Sequence, residues 1–220
     1  MYKFLAIDLD GTLLDSYGQV TEKNKEAIKK AVQNGVEVVL TSGRGPTSVK
    51  NLAEEVGADA LLVVTPYYNK TTQKGLVSHY KAIADSVSLP IIVYSVPSRT
   101  GVNVLPETCL ELSKINNIVA IKEASGNISQ VAKIASLCGD NLDIYSGNDD
   151  QIVPILSLGG KGVISVLSNV MPKYTKDMVY NYFNGKQEEA TKMQLNAIEL
   201  IDMLFCEVNP IPVKHALNVM

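Results

Sequence analysis

Short apolar runs alternate with amphipathic stretches along almost the whole chain. Seven runs read as strands: Phe4–Leu9, Val36–Thr41, Ala60–Thr65, Pro90–Val96, Ile118–Glu123, Leu142–Ser146 and Gly162–Val166. They are continuously apolar rather than alternating, the pattern of parallel strands covered on both faces. Helical periodicity follows each of them, over residues 22–34, 46–57, 71–88, 106–115, 127–138, 149–158 and 171–184, with two further helices over 186–206 and 211–220. Thr21 suits an N-cap, Pro106 with Glu107 suits a first helical turn, and Gly35, Gly57, Gly139 and Gly185 stand where helices stop. Repeated βα units with short connections predict a parallel sheet. The expected fold is a TIM-barrel-like α/β structure of seven visible βα units, incomplete or completed by oligomerisation. An open doubly wound sheet is the alternative. No low-complexity stretch or long linker divides the 220 residues, so a single integrated α/β unit is expected.

Composition changes this picture little. The chain is 46% hydrophobic and 20% charged, ordinary for a globular protein with a sizeable core. The net charge of −3, without a basic run, argues against nucleic acid as a partner. No apolar run is long enough for a membrane span, and the N-terminus opens on a strand rather than a leader. Cys109, Cys138 and Cys206 lack metal-like spacing and read as buried thiols of a reducing, cytoplasmic compartment. His79 and His215 stand far apart and read as helix-face residues.

Two strand ends carry candidate chemistry. In an α/β unit, ligands collect at the carboxyl ends of strands. Asp8 and Asp10 stand two residues apart at the first such end, before Gly11-Thr12. Two carboxylates on one face can attack phosphorus and hold Mg²⁺ weakly. The second strand ends in Thr41-Ser42-Gly43-Arg44, a hydroxyl-rich turn suited to phosphate. Lys122 ends the fifth strand, after Ile118, Val119, Ala120 and Ile121. Apolar surroundings lower an ammonium pKa and free the amine for attack on a carbonyl. Tyr94 ends the strand before it, where a phenol can relay protons, and Arg99 follows, where a guanidinium can grip a carboxylate.

DLDGTLLD (residues 8–15) followed by TSGR (residues 41–44) resembles the haloacid-dehalogenase (HAD) sugar phosphatases, over residues 1 to about 55. That resemblance implies Asp8 as nucleophile, Asp10 as acid/base and Thr41 or Ser42 as phosphate ligands. The family's downstream lysine and acidic GDxxND-type motif are not found. A Mg²⁺-dependent phosphatase is thus one alternative function, and an inactive fusion scaffold is another.

TPYYNK, YSVPSRTG, IKEASGN, SGNDD, GVISV and NPIPVK, in that order from about residue 54 onward, resemble dihydrodipicolinate synthase (4-hydroxy-tetrahydrodipicolinate synthase) and its pyruvate-aldolase superfamily. This implies a barrel enzyme of lysine biosynthesis that condenses pyruvate with aspartate semialdehyde. It needs no cofactor beyond its Schiff-base lysine. Lys122 would be that lysine, Tyr94 the proton relay, and Arg99 the group meeting the aldehyde's carboxylate. Tyr68 would be donated across a subunit interface, which implies a homo-oligomer. Thr65, Gly147 and Ile164 would line the pyruvate site, the last two through backbone. The family's GTTGE-type turn is absent, and Ser95 stands where asparagine is common. The expectation is therefore a fusion: a HAD-like segment (1–55) and a synthase-like segment (56–220), impaired in condensation. Asp8 and Asp10, at the same rim as the lysine, should raise the Lys122 pKa.

Overall fold

The structure, a computed structural model, describes residues 4–42 and 46–220, with the side chains of 46–49 excepted. Seven strands form one sheet: β1 (Phe4–Asp8), β2 (Glu37–Ser42), β3 (Ala60–Val64), β4 (Ile91–Ser95), β5 (Ile118–Glu123), β6 (Asp143–Ser146) and β7 (Gly162–Val163). Eleven α-helices follow the strands. In chain order they are α1 (Glu22–Gln33), α2 (Pro46–Val56), α3 (Gln73–Ser86), α4 (Pro97–Thr100), α5 (Pro106–Leu112), α6 (Ile128–Cys138), α7 (Ile152–Ser157), α8 (Leu167–Val170), α9 (Pro172–Phe183), α10 (Gln187–Leu204) and α11 (Ile211–Val219). Among the described residues, no helix is long and apolar enough to cross a membrane.

Each strand pairs in parallel with its neighbour in sequence, in the order β1-β2-β3-β4-β5-β6-β7. A doubly wound sheet reverses its strand order at a switch point. This sheet has no reversal, so the open doubly wound alternative is excluded and the fold is TIM-barrel-like.

Residue parity sorts the strands into two faces. Val38, Leu40, Leu61, Val63, Ile91, Val93, Ile121 and Ile144 are buried in one cluster with helix residues such as Ile28, Leu76, Ile83 and Ile134. The opposite parity gives Val39, Leu62, Ile92 and Ala120, with Tyr94, Tyr145 and Ile164 packed against them. This second cluster contains strand and loop residues only. It stays dry because the sheet curls on itself. A closed barrel of this kind uses eight strands; here, among the described residues, β1 and β7 each have one partner.

Local signals act as the sequence predicts. Thr21 Oγ1 accepts from the Asn24 N–H at 3.3 Å and caps α1. Three expectations need correction. Asp10 is not on a strand: β1 ends at Asp8, and Asp10 lies in a tight turn (Leu9–Leu13) that Gly11 permits with φ of 73°. The last strand is two residues long, not five, because its partner β6 ends at Ser146, the residue that Val163 pairs with. Cys206 is exposed, whereas Cys109 and Cys138 are buried as expected.

Candidate active site

Lys122 owes its position to strand parity. Ile121 and Glu123 face the helix layer, so Lys122 faces the concave side. There it pairs in register with Tyr94 on β4 and Tyr145 on β6. Its Nζ lies 4.2 Å from the centroid of the Tyr94 ring, within cation–π range. Burial dominates its titration. The ammonium falls from an ordinary 10.5 to about 8, chiefly by desolvation. Asp149 opposes that shift, Arg99 adds to it, and Asp8 opposes it more weakly. Of the two aspartates expected to raise it, Asp8 acts in that direction, Asp10 is not among the groups that act on it, and burial overrules the effect.

The neighbouring groups are held tightly. Tyr94 is largely buried, which raises its phenol pKa, while Arg99 lowers it. A Cβ on Gly147 would come 2.6 Å from Ala124 Cβ and 3.2 Å from Lys122 Cε, so only glycine lets this turn cross the lysine stem. Ile164 is half-buried in the concave cluster. Thr65 is fully buried at the end of β3, and its Oγ1 has no hydrogen-bond partner among the described residues. Arg99 is exposed on α4 and donates to the Asn209 carbonyl at 3.5 Å. Tyr68 is 90% exposed.

The aspartate end is built differently. Asp8 and Asp10 are both exposed. Partial desolvation and the like charge of Asp10 raise the Asp8 pKa, against hydrogen bonds from Thr12 and Leu9 and the charge of Lys214. Thr41 faces the concave side beside Asp8, but Ser42 has the opposite parity and is buried toward the helices. The two hydroxyls therefore do not converge on one phosphate. Gly43 and Arg44 lie outside the described residues. Among the described residues, no three His, Cys, Asp or Glu side chains form a metal-sized group.

Two buried carboxylates beside the lysine escaped the sequence reading. Glu123 is fully buried, accepts from Gln130 Nε2 at 2.9 Å, and is raised in pKa by burial. Gln130 in turn bonds Asn103 in the loop after α4. Asp149 is 2% exposed and accepts from the N–H groups of Val166 and Leu167 at 2.9 and 2.8 Å. Both lie in quoted strings, IKEASGN and SGNDD. Their significance comes from burial, which the strings do not state.

Comparison with known proteins decides the family. The sequence model of the dihydrodipicolinate synthetase family matches residues 14–220. The chain belongs to that family. It is 51% identical to 4-hydroxy-tetrahydrodipicolinate synthase 1 of Clostridium acetobutylicum, over 98% of this chain and 76% of that protein. It is 67% identical to the 4-hydroxy-tetrahydrodipicolinate synthase of Caldicellulosiruptor saccharolyticus, over 76% of this chain and 57% of that protein. The crystal structure of dihydrodipicolinate synthase from Thermotoga maritima superposes with a TM-score of 0.84 at 41% identity, covering 92% of this chain and 73% of that one. The chain thus spans between about half and three quarters of the length of these relatives.

These matches correct the fusion reading. One family covers residues 14–220 and a relative aligns over 98% of the chain, so no HAD-derived segment is indicated. Two aspartates before a glycine turn are a short pattern that any βα unit can present. Nor do the matches support an inactive scaffold, an impaired synthase or a phosphatase.

Proposed function

We propose that this dihydrodipicolinate synthetase family member is a Schiff-base lyase that takes pyruvate and condenses it with aspartate semialdehyde, a step of lysine biosynthesis. The family's chemistry uses a lysine imine with pyruvate and no metal cofactor. The observation that carries the reading is Lys122: a buried amine with a pKa of about 8, held over a tyrosine ring at a strand end. A useful fraction is neutral near physiological pH, and neutral amine is the form that attacks a ketone.

In this reading, Lys122 Nζ adds to the pyruvate carbonyl carbon, and loss of water leaves an iminium. Tyr94 passes protons to and from the carbinolamine oxygen, and Arg99 receives the carboxylate of the aldehyde partner. The Gly147 N–H is already used on the Glu123 carbonyl, and that of Ile164 on the Ser146 carbonyl. What both offer a ligand is a carbonyl oxygen. The unpartnered Thr65 hydroxyl is a further donor at the same rim. The exposure of Tyr68 suits a side chain that completes a neighbouring subunit's site, so the working protein is a homo-oligomer. Each chain contributes one integrated α/β unit to it.

The test is direct. Incubation with pyruvate and borohydride should add the mass of a reduced pyruvyl group to the intact protein, mapped to the Lys122 peptide and absent in Lys122→Ala. An unchanged wild-type mass overturns the reading.

A further inference from the structure

Asp149 is the least explained group near the lysine. It lies in the turn after β6, two residues beyond Gly147, the glycine that packs on the Lys122 stem. One carboxylate oxygen, Oδ2, takes the N–H groups of Val166 and Leu167 at 2.9 and 2.8 Å. The Asp149 backbone carbonyl is held by Gln194 Nε2 at 2.8 Å. The other carboxylate oxygen, Oδ1, is buried and has no partner among the described residues. A buried carboxylate oxygen left unpaired bears the cost of its lost hydration without compensation. The Ser165 side chain also favours the charged carboxylate, yet Oδ1 meets no donor in hydrogen-bond geometry, so this firmly oriented carboxylate is left to act on a nearby cation.

The proposed reaction supplies such a group. The ammonium gives up a proton before it attacks the ketone, the carbinolamine is neutral, and a proton returns as water leaves, so nitrogen is cationic at the start and again in the iminium. In a desolvated site that charge requires a fixed anion. We propose that Asp149 is the counter-ion of Lys122, paired electrostatically with the resting ammonium and then with the pyruvyl iminium. It is a positioning residue: it acts through Lys122. The inference rests on the Schiff-base reading above.

Several groups share the lysine's surroundings. Tyr94 from β4 and Tyr145 from β6 are phenols with pKa values raised by burial, and so are neutral at physiological pH. Arg99 beyond β4 is cationic and repels the ammonium. Asp8 at the end of β1 is anionic but exposed, and its influence is the weaker of the two carboxylates'. Glu123, also buried, projects from the lysine's own strand to the opposite face and is held there by Gln130 Nε2 at 2.9 Å. Asp149 is therefore the buried carboxylate on the lysine's side of the sheet whose charge acts on it. Burial raises the Asp149 pKa, and hydrogen bonds from Ser165, Leu167 and Val166 and, last, the charge of Lys122 act against that rise.

The decisive experiment reads the lysine without pyruvate first. Acetic anhydride labelling of Lys122, followed by peptide mass spectrometry across pH, gives the amine's titration in wild type and Asp149→Asn. Asparagine keeps the shape and one carbonyl acceptor. If Asp149 is the counter-ion, its loss moves the acid limb to lower pH. The borohydride-trapped pyruvate adduct should also fall roughly tenfold, the equivalent of one pKa unit. Mere loosening of the site would hydrate Lys122 and move the limb upward, toward 10.5. An unmoved or upward limb overturns the proposal. Should Asp149→Asn fail to fold, wild type suffices: the Asp149 carboxyl carbon, followed by NMR, should show a step that tracks Lys122 and vanishes in Lys122→Met. Absence of that step also overturns it. Failure of wild type to form any pyruvate adduct would refute the Schiff-base reading alone, because the labelling profile still decides the pairing.

Discussion

The ends of β1 and β5 occupy equivalent places in the fold, yet they are chemically unlike. Each presents an ionisable residue at the carboxyl end of a parallel strand, facing the concave side. Asp8 is exposed, and its pKa is raised by only partial desolvation and the like charge of Asp10. Lys122 is enclosed by its register neighbours Tyr94 and Tyr145 and by the Gly147 turn, and its pKa falls to about 8. Location at a strand end brings a residue to the rim. Enclosure decides how far its titration moves.

The sharpest way to break this contrast is to exchange the charged groups for neutral ones. Lys122→Met should abolish the reduced pyruvyl adduct entirely, whereas Asp8→Asn with Asp10→Asn should retain it; intact mass reads both. The same lysine variant should change stability with a definite sign. The folded pKa of Lys122 is lowered, so the unfolded chain binds the proton more tightly between about 8 and 10.5. Wild type should therefore gain stability relative to Lys122→Met as pH rises through that window, by about 3 kcal/mol at most at ~1.4 kcal/mol per unit. Parallel denaturation curves for the two proteins at each pH would show it; equal differences throughout would mean that Lys122 is effectively solvated.

Tyr94→Phe keeps the ring under the ammonium and removes the hydroxyl. Imine formation should slow by ~10²–10⁴-fold, the usual effect of losing a positioned proton donor, with little change in melting temperature. Stopped trapping at short times measures it. Gly147→Ala should cost about 1–3 kcal/mol through overlap with Ala124 and the lysine stem, read by urea titration. The smallest effect belongs to Asp8→Asn. It should move the acid limb of Lys122 labelling to lower pH, by less than Asp149→Asn does. An equal or larger shift would mean that Asp8 is as enclosed as Asp149, and the contrast would collapse.

Much of this was legible in the sequence. Six of the seven strands fall within about two residues of the expected spans at either end, because continuous apolar runs bounded by glycine and polar residues leave few alternatives. Helices α4 and α8, four residues each, are too short to leave a periodic trace. Lys122, Tyr94 and Gly147 could be found because strand parity and chain order bring them together. Thr41 and Ser42, offered as alternatives, differ by a single step of that parity and so face opposite sides of the sheet. Asp149 was overlooked because its partners, Val166 and Leu167, follow 17 and 18 residues later, across a strand. The aspartate pair misled most. DLDGT reads the same whether it is a catalytic signature or a strand followed by a glycine turn, and only the extent of the family match separates the two.

The strictly sequential strand order also sets how the protein emerges during synthesis. Every strand docks on the one made just before it, so the sheet advances at one growing edge and no strand waits for a distant partner. Lys122 reaches that edge while the Asp149 turn and the Val166–Leu167 amides that anchor it are still to come. A chain stopped before Val166 would therefore carry the lysine strand without the amides that fix its neighbouring carboxylate, so the electrostatic setting of Lys122 is completed by the most C-terminal part of the sheet.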